Sequence, residues 1–196
     1  MNKSRLEAFS DGVFAIIITI MVLELKIPKG TDMQTIRALA PQFYCYLLSF
    51  ALVGIYWVNH HHLVHTARRV SAGILWGNIH LLFWLSLIPF VTGWMSENSF
   101  DKIAVAVYGG LMLVCGLAYT ILNIAIKKTH KETTELTRAL EKSDPKAMLS
   151  TLLYTSSIPI ALFVNAWISE AIFLLVAIIW MIPSKAIEQA LENEHK

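Results

Sequence analysis

Six apolar segments, each long enough to cross a lipid bilayer, occupy most of this 196-residue chain. A transmembrane helix needs roughly 20 predominantly apolar residues. The segments that qualify span about 6–25, 39–63, 72–94, 103–126, 149–167 and 171–187. They leave no room for a separate soluble domain. The sequence therefore predicts an all-α membrane protein, with residues 1–196 forming a single domain of six transmembrane helices.

Composition supports this class of protein. The chain is 56% hydrophobic and only 15% charged, which is more apolar than a soluble domain of this size requires. Its formal net charge of +2 is too small to indicate a nucleic-acid partner. Cys45 and Cys115 lie far apart in different apolar segments, so we interpret them as small buried hydrophobic residues rather than a disulfide.

Positive charge is distributed unequally between the two sides that six spans would create. Twelve of the 16 Lys and Arg residues lie at the two termini and in the loops after the second and fourth segments. The opposite side holds the other four, Lys26, Lys29, Arg37 and Lys102. Because cytoplasmic loops are enriched in Lys and Arg, this bias predicts that both termini are cytoplasmic. The polar stretch 127–148 is then a cytoplasmic helix.

Asp11 lies in the first span, two residues ahead of its nearly unbroken apolar run, in the stretch FSDGVFAIIITIMVL. A carboxylate at the centre of a bilayer costs about 2.5–3.5 kcal/mol on insertion scales, so it is rare there without a partner. We expect Asp11 to accept hydrogen bonds from His60, His61 or Asn78 on the second and third helices. The pattern leaves open whether such a network controls gating or only holds the helices together.

The first helix has two aliphatic faces. At 100° per residue, one stripe contains Ile16, Thr19, Ile20 and Leu23, while Ile17, Ile18, Met21 and Val22 lie on the other side. Periodicity alone does not say which face lines a pore. Nor does it give Thr19 a special role, because a threonine in a membrane helix often donates its hydroxyl to a carbonyl one turn earlier.

The start of the chain carries a specific motif, Arg5, Phe9, Ser10 and Asp11 spaced as RxxxFSD and followed by GVFAIIITIMVLEL. Together with WVNHHH from Trp57 and NIHLLFWLSLIPFVTGWMSE from Asn78, it resembles the transmembrane protein 175 family. This family comprises endosomal and lysosomal potassium channels and their prokaryotic homologues. The motifs cover the first half of the chain, and the last three spans match by hydropathy.

The resemblance implies a homotetramer in a prokaryotic plasma membrane, each subunit being one six-helix repeat whose first helix lines the pore. The expected function is a passive, potassium-permeable cation channel of modest selectivity, with potassium as the permeant ion and no enzymatic activity, catalytic residues, metal or cofactor. Family residues thought to act in the pore map to a hydrophobic constriction of Ile16, Ile20 and Leu23 and a selectivity layer at Thr19. The motif and helix-positioning residues map to Arg5, Phe9, Ser10, Asp11, Trp57, His60, His61 and Asn78.

Two other functions remain open from the sequence. The main alternative is a proton-coupled secondary transporter that uses Asp11 and a nearby histidine, although the chain lacks the matched repeats typical of such proteins. A non-conducting scaffold is the other. His61 and His65 are one helical turn apart, but seven histidines are too few for a membrane metal enzyme. We interpret VYGG, residues 107–110, as small-residue helix packing rather than a filter.

Overall fold

The computed structural model describes residues 2–130 and 144–181, and within those residues all regular structure is helical. Five helical stretches are long and apolar enough to cross a membrane, and a shorter apolar helix follows them. The prediction of an all-α membrane protein is confirmed. The helices are α1 Lys3–Leu23, α2 Met33–Ala38, α3 Ala40–His65, α4 Ala72–Leu85, α5 Ile88–Glu97, α6 Lys102–Lys127, α7 Asp144–Phe163 and α8 Ala166–Met181.

The third predicted span, 72–94, consists of α4 and α5, which together form one candidate span from Ala72 to Glu97 that is interrupted at residues 86–87. The interruption has a local cause, since Pro89 lies in the first turn of α5 and has no backbone N–H to donate. Just before it, the Leu87 amide bonds to the Trp84 carbonyl three residues back, at 3.2 Å. At the other end of the crossing, the Ser71 side chain caps α4 by accepting from the Ile74 amide.

Helix α6 lies at the centre of the subunit and packs against α4, α5, α7 and α8. Helix α1 packs against α3, α4 and α5, on the side of the bundle away from α7 and α8. The side chains between the helices form one apolar core, which includes Phe14 of α1, Leu81 of α4, Met112 of α6 and Phe173 of α8. Because α1 joins the bundle along one side only, its remaining surface is left uncovered by its own subunit.

The last two helices differ in position from the predicted ranges. The predicted spans 149–167 and 171–187 left residues 168–170 as the connection, whereas the chain turns at residues 164–165 and α8 begins at Ala166. Asn165 makes the short turn possible, because its Oδ1 accepts from the Trp167 amide at 2.8 Å. Glu170 is therefore inside a helix. Residues 182–187 of the predicted sixth span, and 131–143 of the predicted cytoplasmic helix, lie outside the described residues.

The loop between α5 and α6 has a strained backbone. Ser99 and Phe100 have φ angles of 51° and 60°, a left-handed conformation that costs a non-glycine residue about 1–2 kcal/mol. This conformation turns the Phe100 ring inward, where it is 7% exposed. Its ring centroid lies 5.7 Å from that of Tyr44 and 4.7 Å from that of Trp167. Burial of the aromatic ring offsets the strain.

Candidate functional site

The two aliphatic faces of α1 have different environments in the folded subunit. Ile17 and Met21 are each only 2% exposed and belong to the core. Ile16, Ile20 and Leu23 are 58%, 41% and 79% exposed. The exposed stripe continues toward the amino terminus through Phe9 and Gly12. A subunit of this shape presents the face that contains Ile16, Ile20 and Leu23 to whatever lies outside it.

Thr19 lies on the exposed face, and its hydroxyl is used within the helix. Its Oγ1 donates to the carbonyl of Ile16 at 2.9 Å. Since the hydroxyl has a single proton, this bond directs the proton toward the backbone and leaves the oxygen lone pairs to face outward. The side chain therefore acts as an acceptor toward any group that approaches this face.

Asp11 has a hydrogen-bond partner that was not among the expected ones. Its Oδ1 accepts from the indole Nε1 of Trp57 on α3 at 2.9 Å. Within the described part of the chain, neither His60, His61 nor Asn78 makes a hydrogen bond to Asp11. The contact lies at the subunit surface, where Trp57 is 43% exposed. Asp11 thus ties the first turns of α1 to α3 through a tryptophan.

Two of the three expected residues, His60 and Asn78, are linked to Ser10 instead. Ser10, His60 and Asn78 are at most 2% exposed and form a hydrogen-bonded chain between three helices. Asn78 Nδ2 donates to Ser10 Oγ at 3.0 Å, and Ser10 Oγ donates to the Leu6 carbonyl at 2.9 Å. The Asn78 Oδ1 lies 2.6 Å from His60 Nε2, so the neutral histidine that fits this chain carries its proton on Nε2.

The remaining motif residues lie around the amino-terminal end of α1. His61 stacks on His65 with ring centroids 6.0 Å apart and lies 6.4 Å from the Trp57 ring. Arg5 is exposed and makes no ion pair with any residue that the structure describes. Among these same residues, no group of three or more His, Cys, Asp or Glu side chains is arranged to hold a metal ion.

Sequence reasoning missed a second buried polar chain. Tyr108 on α6 and Ser49 on α3 share a hydrogen bond of 2.9 Å, and the Thr92 hydroxyl lies 2.7 Å from Ser49 Oγ. All three side chains are buried. Hydropathy gave no signal for it, because each of these three apolar segments contains more than one hydroxyl side chain and nothing in the sequence pairs Ser49, Thr92 and Tyr108. This chain connects α3, α5 and α6.

These features define a class of protein, namely a multi-pass helical membrane protein whose first helix is fixed by polar contacts and presents an aliphatic face outward. A family model described as "Endosomal/lysosomal potassium channel TMEM175" matches residues 5–89. A protein of Chryseobacterium sp. (strain P1-3), named a potassium channel, is 46% identical over 193 residues, which cover 98% of this chain and 100% of that protein. The chain belongs to the TMEM175 family of ion channels, as its RxxxFSD motif predicted.

Other relatives agree with this assignment. A crystal structure of a lysosomal potassium-selective channel TMEM175 homologue from Chamaesiphon minutus matches with a TM-score of 0.75 and 28% identity, covering 93% of this chain and 97% of that one. The rat endosomal/lysosomal proton channel TMEM175 is 35% identical over 101 residues, which are 45% of this chain and 20% of the rat protein. The family is one of ion channels and not a class of enzymes.

Proposed function

We propose that this protein is a passive, potassium-permeable cation channel in which the α1 helices of four identical subunits surround the conduction pathway. Each subunit crosses a prokaryotic plasma membrane six times, with both termini in the cytoplasm. The observation that carries the proposal is the orientation of α1, which leaves Ile16, Ile20 and Leu23 outside the subunit while Ile17 and Met21 enter its core.

One subunit has a single candidate lining helix and cannot enclose a pore, so conduction requires an oligomer. When several copies of α1 meet at a symmetry axis, the exposed isoleucine and leucine side chains form successive apolar rings. A narrow apolar ring offers water and ions too few polar partners and therefore closes a pore by dewetting. Opening then requires the rings at Ile16, Ile20 and Leu23 to widen.

The Thr19 layer gives this pathway its oxygen ligands. Because the hydroxyl proton is donated to Ile16, each subunit directs an oxygen with free lone pairs toward the axis. Four neutral oxygens compensate in part for the water that a potassium ion loses, yet they carry no net charge that would retain it. The channel should therefore prefer potassium only modestly, and each potassium ion should leave the Thr19 layer rapidly.

The motif residues position the pore helix rather than line it. Ser10 is bound to Asn78 on α4, and Asp11 is bound to Trp57 on α3, so two neighbouring residues of α1 are held from two sides. Rotating α1 about its axis would break both contacts. This pair of contacts therefore fixes which face of α1 points away from the subunit.

Reconstitution in lipid vesicles tests the pore assignment. Ile20→Asn places an amide in the apolar ring and should increase potassium flux, since a polar ring wets more easily. Ile121→Asn on α6 is the matched control, because Ile121 is 49% exposed but lies away from α1. Equal potassium flux in the wild type and in Ile16→Asn, Ile20→Asn and Leu23→Asn would show that this face does not line the pore.

The same vesicles distinguish the alternative functions. A proton-coupled transporter would move potassium uphill along a proton gradient and would lose this ability in Asp11→Asn, whereas a channel only dissipates gradients. The hydrogen bond of Asp11 to Trp57 gives the transporter hypothesis no histidine partner for this carboxylate among the described residues. A scaffold would show no flux of potassium or of protons under any gradient.

A further inference from the structure

Glu170 is a buried carboxyl group on α8, apart from the residues that surround α1. It lies in the second turn of α8 and is 1% exposed. Neither of its carboxyl oxygens makes a hydrogen bond of ordinary geometry to a described residue, and the Tyr44 hydroxyl is the polar group placed to approach the carboxyl. It also makes no ion pair there. An unpaired ionised carboxylate in such a position would lose its hydration without compensation, which is among the most unfavourable arrangements in a folded protein.

The groups that face Glu170 are all uncharged when protonated. Helix α8 packs against α3, α6 and α7. Helix α3 contributes Tyr44 and Cys45, and α6 contributes Tyr108, as the titratable groups close enough to interact with the carboxyl electrostatically. On α7, the titratable side chain nearest this part of α8 is Tyr154, which packs against Phe173. No lysine, arginine or histidine faces the carboxyl from these helices among the residues described.

Aromatic rings close the site at one end of the bundle. Tyr44, Phe100 and Trp167 pack in series. They lie at the end of the bundle where α1 finishes, because Lys26, which follows α1, forms an ion pair of 2.8 Å with Glu97, which precedes the loop that carries Phe100. Phe100 is held there by a backbone in the left-handed region. The residue before Glu170 holds α8 against α7, since Ser169 Oγ donates to the Ser157 carbonyl at 2.7 Å. Glu170 thus lies in a small closed corner between α3, α6 and α8.

We propose that Glu170 is a proton-binding site that holds this corner closed. In the closed corner the side chain is a neutral carboxylic acid, so its burial requires no counter-ion. Ionisation releases the proton to bulk water and leaves a carboxylate that needs hydration, and hydration requires the aromatic rings to separate. A metal cation is a poorer occupant, because the surrounding hydroxyl and thiol groups provide no second carboxylate. This inference does not depend on whether α1 lines the pore.

The chain supplies its own reporter of opening. Cys45 is fully buried beside Glu170, and Cys115 is fully buried elsewhere on α6. Purified full-length protein is treated with N-ethylmaleimide at a series of pH values, and labelling of the two cysteines is compared by mass spectrometry. Using Cys115 as the internal reference removes the ordinary increase of thiol reactivity with pH. The labelling ratio of Cys45 to Cys115 then reports opening of the corner itself.

In the wild type we expect this ratio to rise with pH, by up to about tenfold per pH unit above the midpoint, as linkage to one proton requires. In Glu170→Gln the ratio should be flat, because the amide cannot ionise. Glu97→Gln, which removes an exposed carboxylate at the same end of the bundle, should behave like the wild type. A flat ratio in the wild type, or an equal rise in Glu170→Gln, would overturn the proposal.

Infrared spectroscopy gives a second and independent test. The wild type at neutral pH should show the carbonyl stretch of a buried, protonated carboxylic acid. Glu170→Gln should lack that band, and Glu97→Gln should keep it. If the band is absent from the wild type, Glu170 is ionised in the folded protein and the site does not bind a proton. Neither measurement uses ion flux, so failure here leaves the channel proposal to be judged separately.

Discussion

The indole Nε1 of Trp57 donates a hydrogen bond of 2.9 Å to Oδ1 of Asp11, joining α3 to the first turns of α1. The next residue toward the amino terminus, Ser10, is bound from α4 by Asn78. Adjacent residues of one helix point in directions about 100° apart, so the two bonds restrain both the position and the rotation of α1. The polar part of the RxxxFSD motif is in this way coupled to the exposed aliphatic face.

Trp57→Phe tests the first of these restraints. The substitution keeps the aromatic packing but removes the donor, and because the bond is at the surface we expect a loss of about 1 kcal/mol in the free energy of unfolding. Thermal unfolding in detergent measures this loss, and potassium flux should change with it. Trp76→Phe is the control, since Trp76 is 71% exposed and should shift stability by less than about 0.5 kcal/mol. Equal effects of the two substitutions would contradict the role given to Trp57.

Ser10→Ala tests the second restraint. The change leaves the buried Asn78 Nδ2 without its acceptor, and an unsatisfied buried polar group costs about 1–3 kcal/mol. Ser86→Ala is a close control, because Ser86 Oγ also donates to a carbonyl of its own helix, that of Phe83 at 2.7 Å, but is exposed. Denaturation of both variants should show a large loss for Ser10→Ala alone. Similar losses would mean that only the bond within the helix matters.

Gly109→Ala tests the helix packing expected for VYGG. A Cβ at Gly109 would lie 2.7 Å from Ser157 Oγ and 3.2 Å from the Phe173 ring, so the α6, α7 and α8 contact must shift. Overpacking of this kind costs about 1–3 kcal/mol. At Gly110 a Cβ meets nothing within 4 Å, so Gly110→Ala should instead stabilise the helix by up to about 1 kcal/mol. Opposite signs in thermal unfolding are the expected result, and matching signs would refute the packing interpretation.

Asp32 predicts a pH dependence at the start of α2. Its carboxylate accepts from the backbone amide of Thr35 at 2.8 Å and from the Thr35 hydroxyl at 3.0 Å, and these two bonds, the amide first, lower the pKa of Asp32. A carboxylate with a lowered folded-state pKa contributes stability above its ordinary pKa and loses it as the pH falls through the lowered one. Hydrogen exchange of the Thr35 amide should therefore show protection that disappears in acid.

Asp32→Asn is the control for that measurement. Asparagine is also a good N-cap, so protection of the Thr35 amide should persist. The protection of the Thr35 amide should no longer depend on acid pH, because the asparagine side chain does not titrate in this range. If the acid-dependent loss of protection remains in Asp32→Asn, another group is responsible for it.

The helices of this chain could be predicted from sequence because each apolar segment has its own length and composition. Their ends were less certain where a polar residue lies inside a helix. The sequence places Glu170 in the connection between the last two predicted spans. In the structure the turn ends at Asn165, and α8 then carries Glu170 into the bundle. A buried polar residue near a segment end is indistinguishable from a loop residue until its neighbours are known.

The sequence by itself determined that this is a helical membrane protein of the TMEM175 family, since apolar length and the RxxxFSD motif are local properties of the chain. Only the tertiary structure decided that Ile17 and Met21 enter the core while Ile16, Ile20 and Leu23 remain outside. It also decided that Asp11 pairs with Trp57 rather than with a histidine. The physical reason is that two faces of equal hydrophobicity, or several donors within reach, differ only in which neighbouring helix packs beside them.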